Sequence, residues 1–268
     1  MSSKATQTFQ NAANTEAPLT KPWPEYVTLQ GEERATFIEF LKETYREFMT
    51  SMIGKYGAEV PKLSHDNGDM VRMFSYLAEK QAQDPSDQRL QRVLSSGIPI
   101  NLRGTMSTVL HHAPYCYSEK ALTVLLNAGA DIEARDVSEN TPLITASLWS
   151  PSEIPFLLKK GANPNAVNNK GETSLGRLVN EISALSFRDS PADDEERSLC
   201  LNVLKTLAAD SRIDFSLKDN LTGPLEELNN AIKTWQNDSF HCQSLYEAIS
   251  ILKSAPESQR QVFATSAP

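Results

Sequence analysis

Histidine, cysteine and clustered carboxylate side chains are the groups of this chain whose spacing could support chemistry. His111, His112 and Cys116 form the densest set of potential metal ligands, in the pattern HHxxxC. A zinc site needs three or four protein ligands, and no second cluster in the sequence supplies the remainder. We therefore expect the histidines to be structural, and we predict neither a metal site nor a cofactor.

The other candidates for catalysis are weaker. His241 and Cys242 are adjacent, and adjacent residues on a helix point about 100° apart, which does not suit a base and its nucleophile. The run Asp193-Asp194-Glu195-Glu196 follows Ser190-Pro191 in a predicted loop and is typical of a solvated segment. It could also cap the next helix or contact a basic partner. Phosphate-binding glycine loops, GxSxG and HExxH are absent, so we predict no catalytic residues and no enzyme activity.

Composition narrows the classes of partner. The 268 residues carry a formal charge of −8, which disfavours nucleic acid, and no apolar run approaches the length needed to insert into a membrane. Three widely spaced cysteines suggest reduced thiols rather than a disulfide framework. Residues 1–24 lack the pattern of a signal peptide and predict a disordered leader. A cytoplasmic, monomeric protein is the resulting expectation.

The elements that position these groups recur at a fixed period. Gly97, Gly129 and Gly161 follow one another at intervals of 32 residues, and each ends a leucine-rich segment. A period of this size is typical of solenoid proteins. Thr108, Thr141 and Thr173 recur further along and are suited to cap a helix, while glycine suits its left-handed end. Each unit is thus predicted to be a helix pair joined to the next by a polar tip.

These residues carry a family resemblance. The segments NTPLITA, LLNAGADIEARD and LLKKGANPNAVNNKGETSL resemble the TPLHLAA and LLxxGADVNAxDxxGxT stretches of the ankyrin repeat. The match covers Gly97 to Leu178 and implies an all-α solenoid of stacked helix pairs with hairpin-like tips. His111 falls at the position of the family's own histidine, which implies a hydrogen bond to the backbone of the adjoining loop.

The flanks extend this organisation with more degenerate units. We expect a leader over 1–24, an N-terminal capping helix region over 25–63, an ankyrin-repeat array over 64–255 and a flexible tail over 256–268. The clear units span about 97–178, and an insertion lies at about 187–197. The capping helix is predicted from an apolar stripe at helical spacing, formed by Phe37, Leu41, Tyr45, Phe48 and Met52.

The resemblance also implies a binding surface, because ankyrin arrays bind proteins through their tips and the exposed side of their first helices. Aromatic side chains often dominate such interfaces, which favours Tyr115 and Trp149 as central contacts, although both could instead pack within the array. The resemblance places the tips at 103–107, 135–140 and 167–172. These tips and the first helix of the third clear unit supply the other predicted contacts: Arg103, Met106, Arg135, Val137, Ser138, Asn140, Asn169, Lys170, Glu172 and Glu181.

The predicted function is recognition of an unidentified protein through the concave ankyrin groove. The polar leader is similar to those of secreted bacterial effectors, so an effector that acts in a host cytosol is one hypothesis. Two alternatives stay open. One is an enzyme with a site in the divergent regions 24–88 or 187–235, and the other is an adaptor or immunity-type inhibitor.

Overall fold

The computed structural model describes residues 22–53, 67–112, 118–185, 191–215, 217, 223–234 and 242–255. Within these ranges every regular element is a helix, which agrees with the all-α prediction. No described helix is long and apolar enough to cross a membrane. The chain divides into two compact units, Met1–Asp136 and Val137–Pro268, which are treated separately below.

The first unit contains five α-helices in its described part. They are α1 (Gly31–Ile53), α2 (Asn67–Gln83), α3 (Arg89–Ser95), α4 (Val109–His112) and α5 (Glu119–Asn127), preceded by a 3-10 turn at Trp23–Glu25. Helix α2 is the centre of this unit, since it packs against each of the other four. Its residues Met70, Met73, Phe74 and Leu77 are fully buried.

Helix α1 packs against α2 through the predicted apolar stripe. Phe37, Leu41, Tyr45 and Phe48 are all buried, as expected, whereas the side chain of Met52 lies outside the described residues. The Phe48 ring stands 5.4 Å from that of Tyr76, centroid to centroid. The Tyr76 hydroxyl donates to Glu47 at 2.7 Å, and Arg89 pairs with the same carboxylate at 2.6 Å. One carboxylate of α1 thus contacts both α2 and α3.

The second unit contains six α-helices in its described part. They are α6 (Pro142–Trp149), α7 (Ile154–Lys159), α8 (Ser174–Leu185), α9 (Pro191–Ala209), α10 (Pro224–Thr234) and α11 (Cys242–Lys253), with a 3-10 turn at Pro151–Glu153 between α6 and α7. Helices α8 and α9 form its centre, since α8 packs against α6, α10 and α11, and α9 packs against α7, α8 and α11.

The predicted helix boundaries are largely correct where their signals are local. Thr141 accepts a hydrogen bond from the backbone N of Ile144 at 3.3 Å, and Thr173 accepts one from that of Gly176 at 3.1 Å. Pro142 then occupies the first turn of α6, where it costs no hydrogen bond. Gly97, Gly129 and Gly161 adopt φ values of 101°, 91° and 98°, the left-handed conformation expected after a helix end.

Two features differ from the sequence prediction. Helix α9 begins at Pro191, so the acidic run Asp193-Asp194-Glu195-Glu196 lies in its first turns rather than in a loop. Proline suits the first helical position, and carboxylates there interact favourably with the helix dipole. The tips that the structure describes are turns without strands, although the backbone N of Asn168 donates to the carbonyl of Glu172 in a hairpin-like closure of 3.1 Å.

Candidate functional site

The paired histidines are integrated into the first unit by local hydrogen bonds. His111 is buried, and its Nδ1 lies 2.9 Å from the Thr108 hydroxyl and accepts from the Thr108 backbone N at 3.4 Å. His112 Nε2 lies 2.8 Å from the Ser107 hydroxyl. Burial lowers the pKa of His112 to about 4, with smaller effects from Arg72 and His111, so this imidazole is neutral at physiological pH. Both rings thus contact hydroxyl groups of the residues that directly precede α4.

The thiols and metal-ligand candidates offer no reactive arrangement in the described part of the chain. Cys200 is buried, and burial, with the charges of Glu196 and Glu181, raises its pKa to about 12. A thiol with so high a pKa is a poor nucleophile. Cys116 and His241 lie outside the described residues. Among the described residues, no group of three or more histidine, cysteine, aspartate or glutamate side chains could hold a metal ion.

A depression of about 400 Å³ lies between α1, which is part of the divergent region 24–88, and α3, which follows that region. Glu32, Glu33 and Thr36 of α1 line one side, and Arg92 and Ser95 of α3 line the other. The Arg92 guanidinium stacks on the Phe40 ring at 4.1 Å. This lining contains no histidine or cysteine beside a hydroxyl group, the arrangement that would activate a nucleophile.

The tips of the second unit are built around the side chain of Asn168. Its amide nitrogen donates to Asn140 Oδ1 at 2.9 Å and to Glu172 Oε2 at 2.8 Å. Its amide oxygen accepts from the backbone N of Lys170 and of Glu172, both at 2.9 Å. The four hydrogen bonds close the turn locally and join it to the end of the preceding tip.

A backbone hydrogen bond also joins the two tips directly. The N–H of Asn169 donates to the carbonyl of Ser138 at 3.1 Å. With the Asn168–Asn140 bond, this contact fixes residues 138–140 beside residues 168–169. Exposed side chains on these two tips are therefore presented by hydrogen-bonded backbone.

Glu172, one of the predicted contact residues, has a structural role. Its carboxylate is buried, and both of its oxygens accept from Arg177 at 3.0 Å. Burial alone would raise the pKa of Glu172, but the hydrogen bond from Asn168 and the charge of Arg177 outweigh it and lower that pKa below its usual value. Glu172 therefore supports the tip from beneath and is left out of the surface proposed below.

Large exposed apolar side chains are concentrated at the predicted tips. Met106 of the first unit is 65% exposed, and Val137 and Val167 of the second unit are 43% and 42% exposed. Trp149, the last residue of α6, is 61% exposed. Leu199 and Tyr246 are the other large apolar side chains described as exposed, on α9 and α11. Each predicted tip thus carries one exposed apolar residue.

The remaining predicted contacts are polar or charged residues, and most of them are half-buried. Asn169 and Lys170 are exposed on the tip of residues 167–172, while the others are half-buried: Arg103, Arg135, Ser138, Asn140 and Glu181. Tyr115 lies outside the described residues, so its role as a central contact stays a prediction. Val167 was not singled out from the sequence. Its signal was an isolated apolar residue in a polar tip, the same signal that marks Val137.

Comparisons with known proteins agree with an ankyrin-like chain. No protein-family model matches it. Over 217 residues it is 23% identical to an ankyrin and IPT/TIG repeat-containing protein of Schizosaccharomyces pombe, a match that covers 75% of this chain. The chain spans only 18% of the length of that relative. Taken with the all-helical structure of the described residues, this distant similarity indicates an ankyrin-like repeat protein.

Proposed function

We propose that this chain is a protein-interaction module: a solenoid of stacked helix pairs, capped at one end by α1, that binds a partner protein through the concave ankyrin groove. The observation that carries the proposal is the exposure of Val137, Val167 and Trp149 in the second unit. Val137 and Val167 occupy different positions of the 32-residue repeat, but the segments that carry them are joined by the Asn169–Ser138 hydrogen bond. Large apolar side chains left exposed on adjoining segments are typical of a binding surface.

The energetics favour a surface of this kind. Burying a valine side chain in an interface contributes on the order of 1.5 kcal/mol, and a central tryptophan contributes roughly 2 kcal/mol or more. The tips of the second unit are already held by the Asn168 network and by the Asn169–Ser138 hydrogen bond. Binding there would consequently require little additional ordering of the backbone.

Affinity capture with matched variants tests the proposal. The Val137→Ser, Trp149→Ala double variant removes two exposed apolar side chains from the second unit, while Tyr246→Ala removes one of similar exposure, 58%, from α11. Both variants are expected to fold, since the altered side chains are 43%, 61% and 58% exposed and none belongs to the buried core. Proteins captured by the wild type should be lost with the double variant and retained with Tyr246→Ala.

The reverse pattern would contradict the assignment. If the same proteins are captured undiminished by the double variant, the surface around Val137 and Trp149 is not the binding site. If Tyr246→Ala alone abolishes capture, the partner binds the side of the second unit formed by α9 and α11.

The finer roles within this class depend on the partner. We propose a location in the cytoplasm, or in a host cytosol if the chain is a secreted effector, and the composition of residues 1–24 is what supports the effector role. A fusion of residues 1–24 to a reporter enzyme tests it, because an effector leader should direct the reporter into host cells. An adaptor or inhibitor would use the same surface and differ only in what it binds.

A further inference from the structure

Glu153 places a carboxyl group at a buried position that the preceding repeat fills with alanine. It aligns with Ala121 at the 32-residue interval, and Ala121 is fully buried in α5 of the first unit. Glu153 is only 8% exposed in the second unit. Its Oε2 accepts no hydrogen bond from the described protein atoms around it. The repeat therefore does not require a carboxyl group here, and an ionised one is costly to bury.

The described elements around Glu153 provide no cation for it. The 3-10 turn Pro151–Glu153 packs against α6, α7 and α9, and α6 contains no titratable side chain. The titratable groups of the other two helices are Lys159 on α7 and, on α9, Asp193, Asp194, Glu195, Glu196, Arg197, Cys200 and Lys205. Among the described residues, no charged group shifts the pKa of Glu153, which burial raises to about 7 and a hydrogen bond with Ser150 lowers only in part. The neutral carboxyl group is thus the form that suits the folded turn.

The turn connects this carboxyl group to the exposed Trp149. Trp149 ends α6, and Ser150 follows it. The N–H of Ser150 donates to the Ala146 carbonyl at 2.9 Å, and the N–H of Glu153 donates to the Ser150 carbonyl at 3.0 Å. Pro151 has no N–H to add to these bonds. Ser150 therefore links the last turn of α6 to the backbone of Glu153.

Loss of the Glu153 proton favours an open form of this turn. An ionised carboxylate gains hydration when it leaves a buried site that holds no cation. Opening breaks the hydrogen bond between Glu153 and the Ser150 carbonyl, and so frees the end of α6. In the open form the carboxyl group has the ordinary glutamate pKa of 4.5. The closed form is thus favoured at low pH, and this advantage falls between pH 4.5 and 7, by roughly 40-fold from pH 5 to pH 7.

We propose that the Glu153 carboxyl group is a proton-dependent switch: its neutral form holds the end of α6 with Trp149 in place, and loss of the proton releases this end and lowers the affinity of the second unit for its partner. The effect on binding rests on the proposed function, because it concerns Trp149. The conformational change does not depend on that function and can be measured without a partner.

Amide hydrogen exchange of the full-length protein, followed by NMR at pH 5 and pH 7, tests the conformational change. The reporters are the N–H groups of Ser150 and Glu153. The N–H of Arg177, which donates to the Thr173 carbonyl at 3.0 Å in the same unit, is the internal control. Glu153→Gln keeps the shape and cannot ionise, while Glu195→Gln removes an exposed carboxylate from α9. Each protection factor is taken relative to the intrinsic rate at the same pH, so the general acceleration of exchange with pH cancels.

The expected result is a loss of protection confined to the turn. The protection of Ser150 and Glu153 should fall tenfold or more from pH 5 to pH 7 in the wild type and in Glu195→Gln, and it should stay constant in Glu153→Gln. The protection of Arg177 should stay constant in all three proteins. Constant protection of the turn in the wild type, or the same fall in Glu153→Gln, would overturn the inference. An equal fall at Arg177 would also overturn it, since the whole unit would then loosen.

Peptide binding tests whether the switch controls recognition. A phage library of random 12-residue peptides is selected on the wild type at pH 5, and enriched peptides that do not bind Trp149→Ala are kept. From pH 5 to pH 7, their affinity for the wild type should weaken about threefold or more relative to that for Glu153→Gln, because the competent form becomes less populated. An equal pH dependence for both proteins would show that the turn does not control binding. If no enriched peptide depends on Trp149, the proposed function of this surface is wrong and the effect on binding fails with it, while the exchange experiment still decides whether the turn opens.

Discussion

Glu153 is a buried carboxyl group whose protonation affects the stability of the second unit. It lies in the 3-10 turn between α6 and α7, and its Oε2 accepts no hydrogen bond from the protein atoms described around it. Burial raises its pKa to about 7, and a hydrogen bond with Ser150 lowers it only in part. At neutral pH the folded protein consequently holds a carboxyl group close to its titration midpoint.

This residue predicts a defined dependence of stability on pH. In the unfolded chain the group has a pKa of 4.5, so the unfolded state loses this proton first as the pH rises. The free energy of unfolding should therefore fall between pH 4.5 and 7, by roughly 3 kcal/mol in total at higher pH. Glu153→Gln removes this titration. Relative to its difference from wild type at pH 4, it should gain roughly 2–3 kcal/mol at pH 8.

Urea unfolding of wild type and Glu153→Gln at both pH values provides the measurement. The exposed Glu195→Gln on α9 is the control, since it removes a carboxylate from the same unit without changing a buried group. A stability difference between wild type and Glu153→Gln that is the same at pH 4 and pH 8 would show that Glu153 is ionised in the folded state with its ordinary pKa.

At the scale of the elements, three helices end in the same way but in different surroundings. Gly97, Gly129 and Gly161 follow α3, α5 and α7 with similar positive φ values. A Cβ atom at Gly129 or Gly161 would have no heavy atom within 4 Å, whereas one at Gly97 would lie 2.4 Å from the Tyr26 carbonyl oxygen. The segment before α1 passes there, and the N–H of Thr28 donates to the Ser96 carbonyl at 2.8 Å.

Alanine substitution should therefore separate the cost of the left-handed backbone conformation from the cost of a steric clash. At Gly129 the left-handed backbone alone opposes alanine, at about 1 kcal/mol. At Gly97 the added methyl group must also displace the backbone at Tyr26, so Gly97→Ala should lose roughly 1–3 kcal/mol more. Both glycines belong to the first unit, so their urea unfolding curves are directly comparable. If Gly97→Ala and Gly129→Ala lose the same free energy of unfolding, the backbone at Tyr26 moves aside without an energetic cost.

The helix ends were predictable because their signals are local. Threonine caps and glycines act on backbone within four residues, so Thr141, Thr173 and Gly129 could be assigned from the sequence alone. The start of α9 was not predictable in this way. Ser190-Pro191 followed by four acidic residues is compatible with a loop, and it is equally compatible with a helix that begins at proline and has carboxylates in its first turn.

The burial of tip side chains could not be predicted, because it depends on partners that tertiary packing selects. Glu172 reads as an exposed tip residue, yet its hydrogen bonds to Asn168 and Arg177 hold it beneath the tip. Val137 was predicted as a contact and is exposed, whereas Val167, which is exposed to the same extent, was not singled out. The repeat pattern thus locates the tips, while the side-chain network decides which tip residues are available to a partner.

At the scale of the whole molecule, the ends of a repeat array need a capping element, because a terminal repeat has only one neighbour. Helix α1 is the element predicted to act as this cap, and it lies in the first unit. Its buried stripe packs against α2, and Glu47 contacts Tyr76 and Arg89. Arg34, near its start, donates to the carbonyls of Val27 and Pro24 at 2.8 and 2.9 Å, so the preceding segment is fastened to the same helix.

Removal of α1 should consequently destabilise the first unit as a whole. A chain that begins at Pro61 should melt at a lower temperature, with a broader transition, because α2 loses the apolar contacts of α1. Since the truncated chain could fail to fold, Leu41→Ala tests the same packing in the full chain and should cost roughly 2–5 kcal/mol. Glu39→Ala, at an exposed position on the same helix, should change stability by less than about 0.5 kcal/mol. If thermal and urea unfolding show Leu41→Ala to be as stable as Glu39→Ala, α1 contributes no packing energy and the capping prediction is wrong.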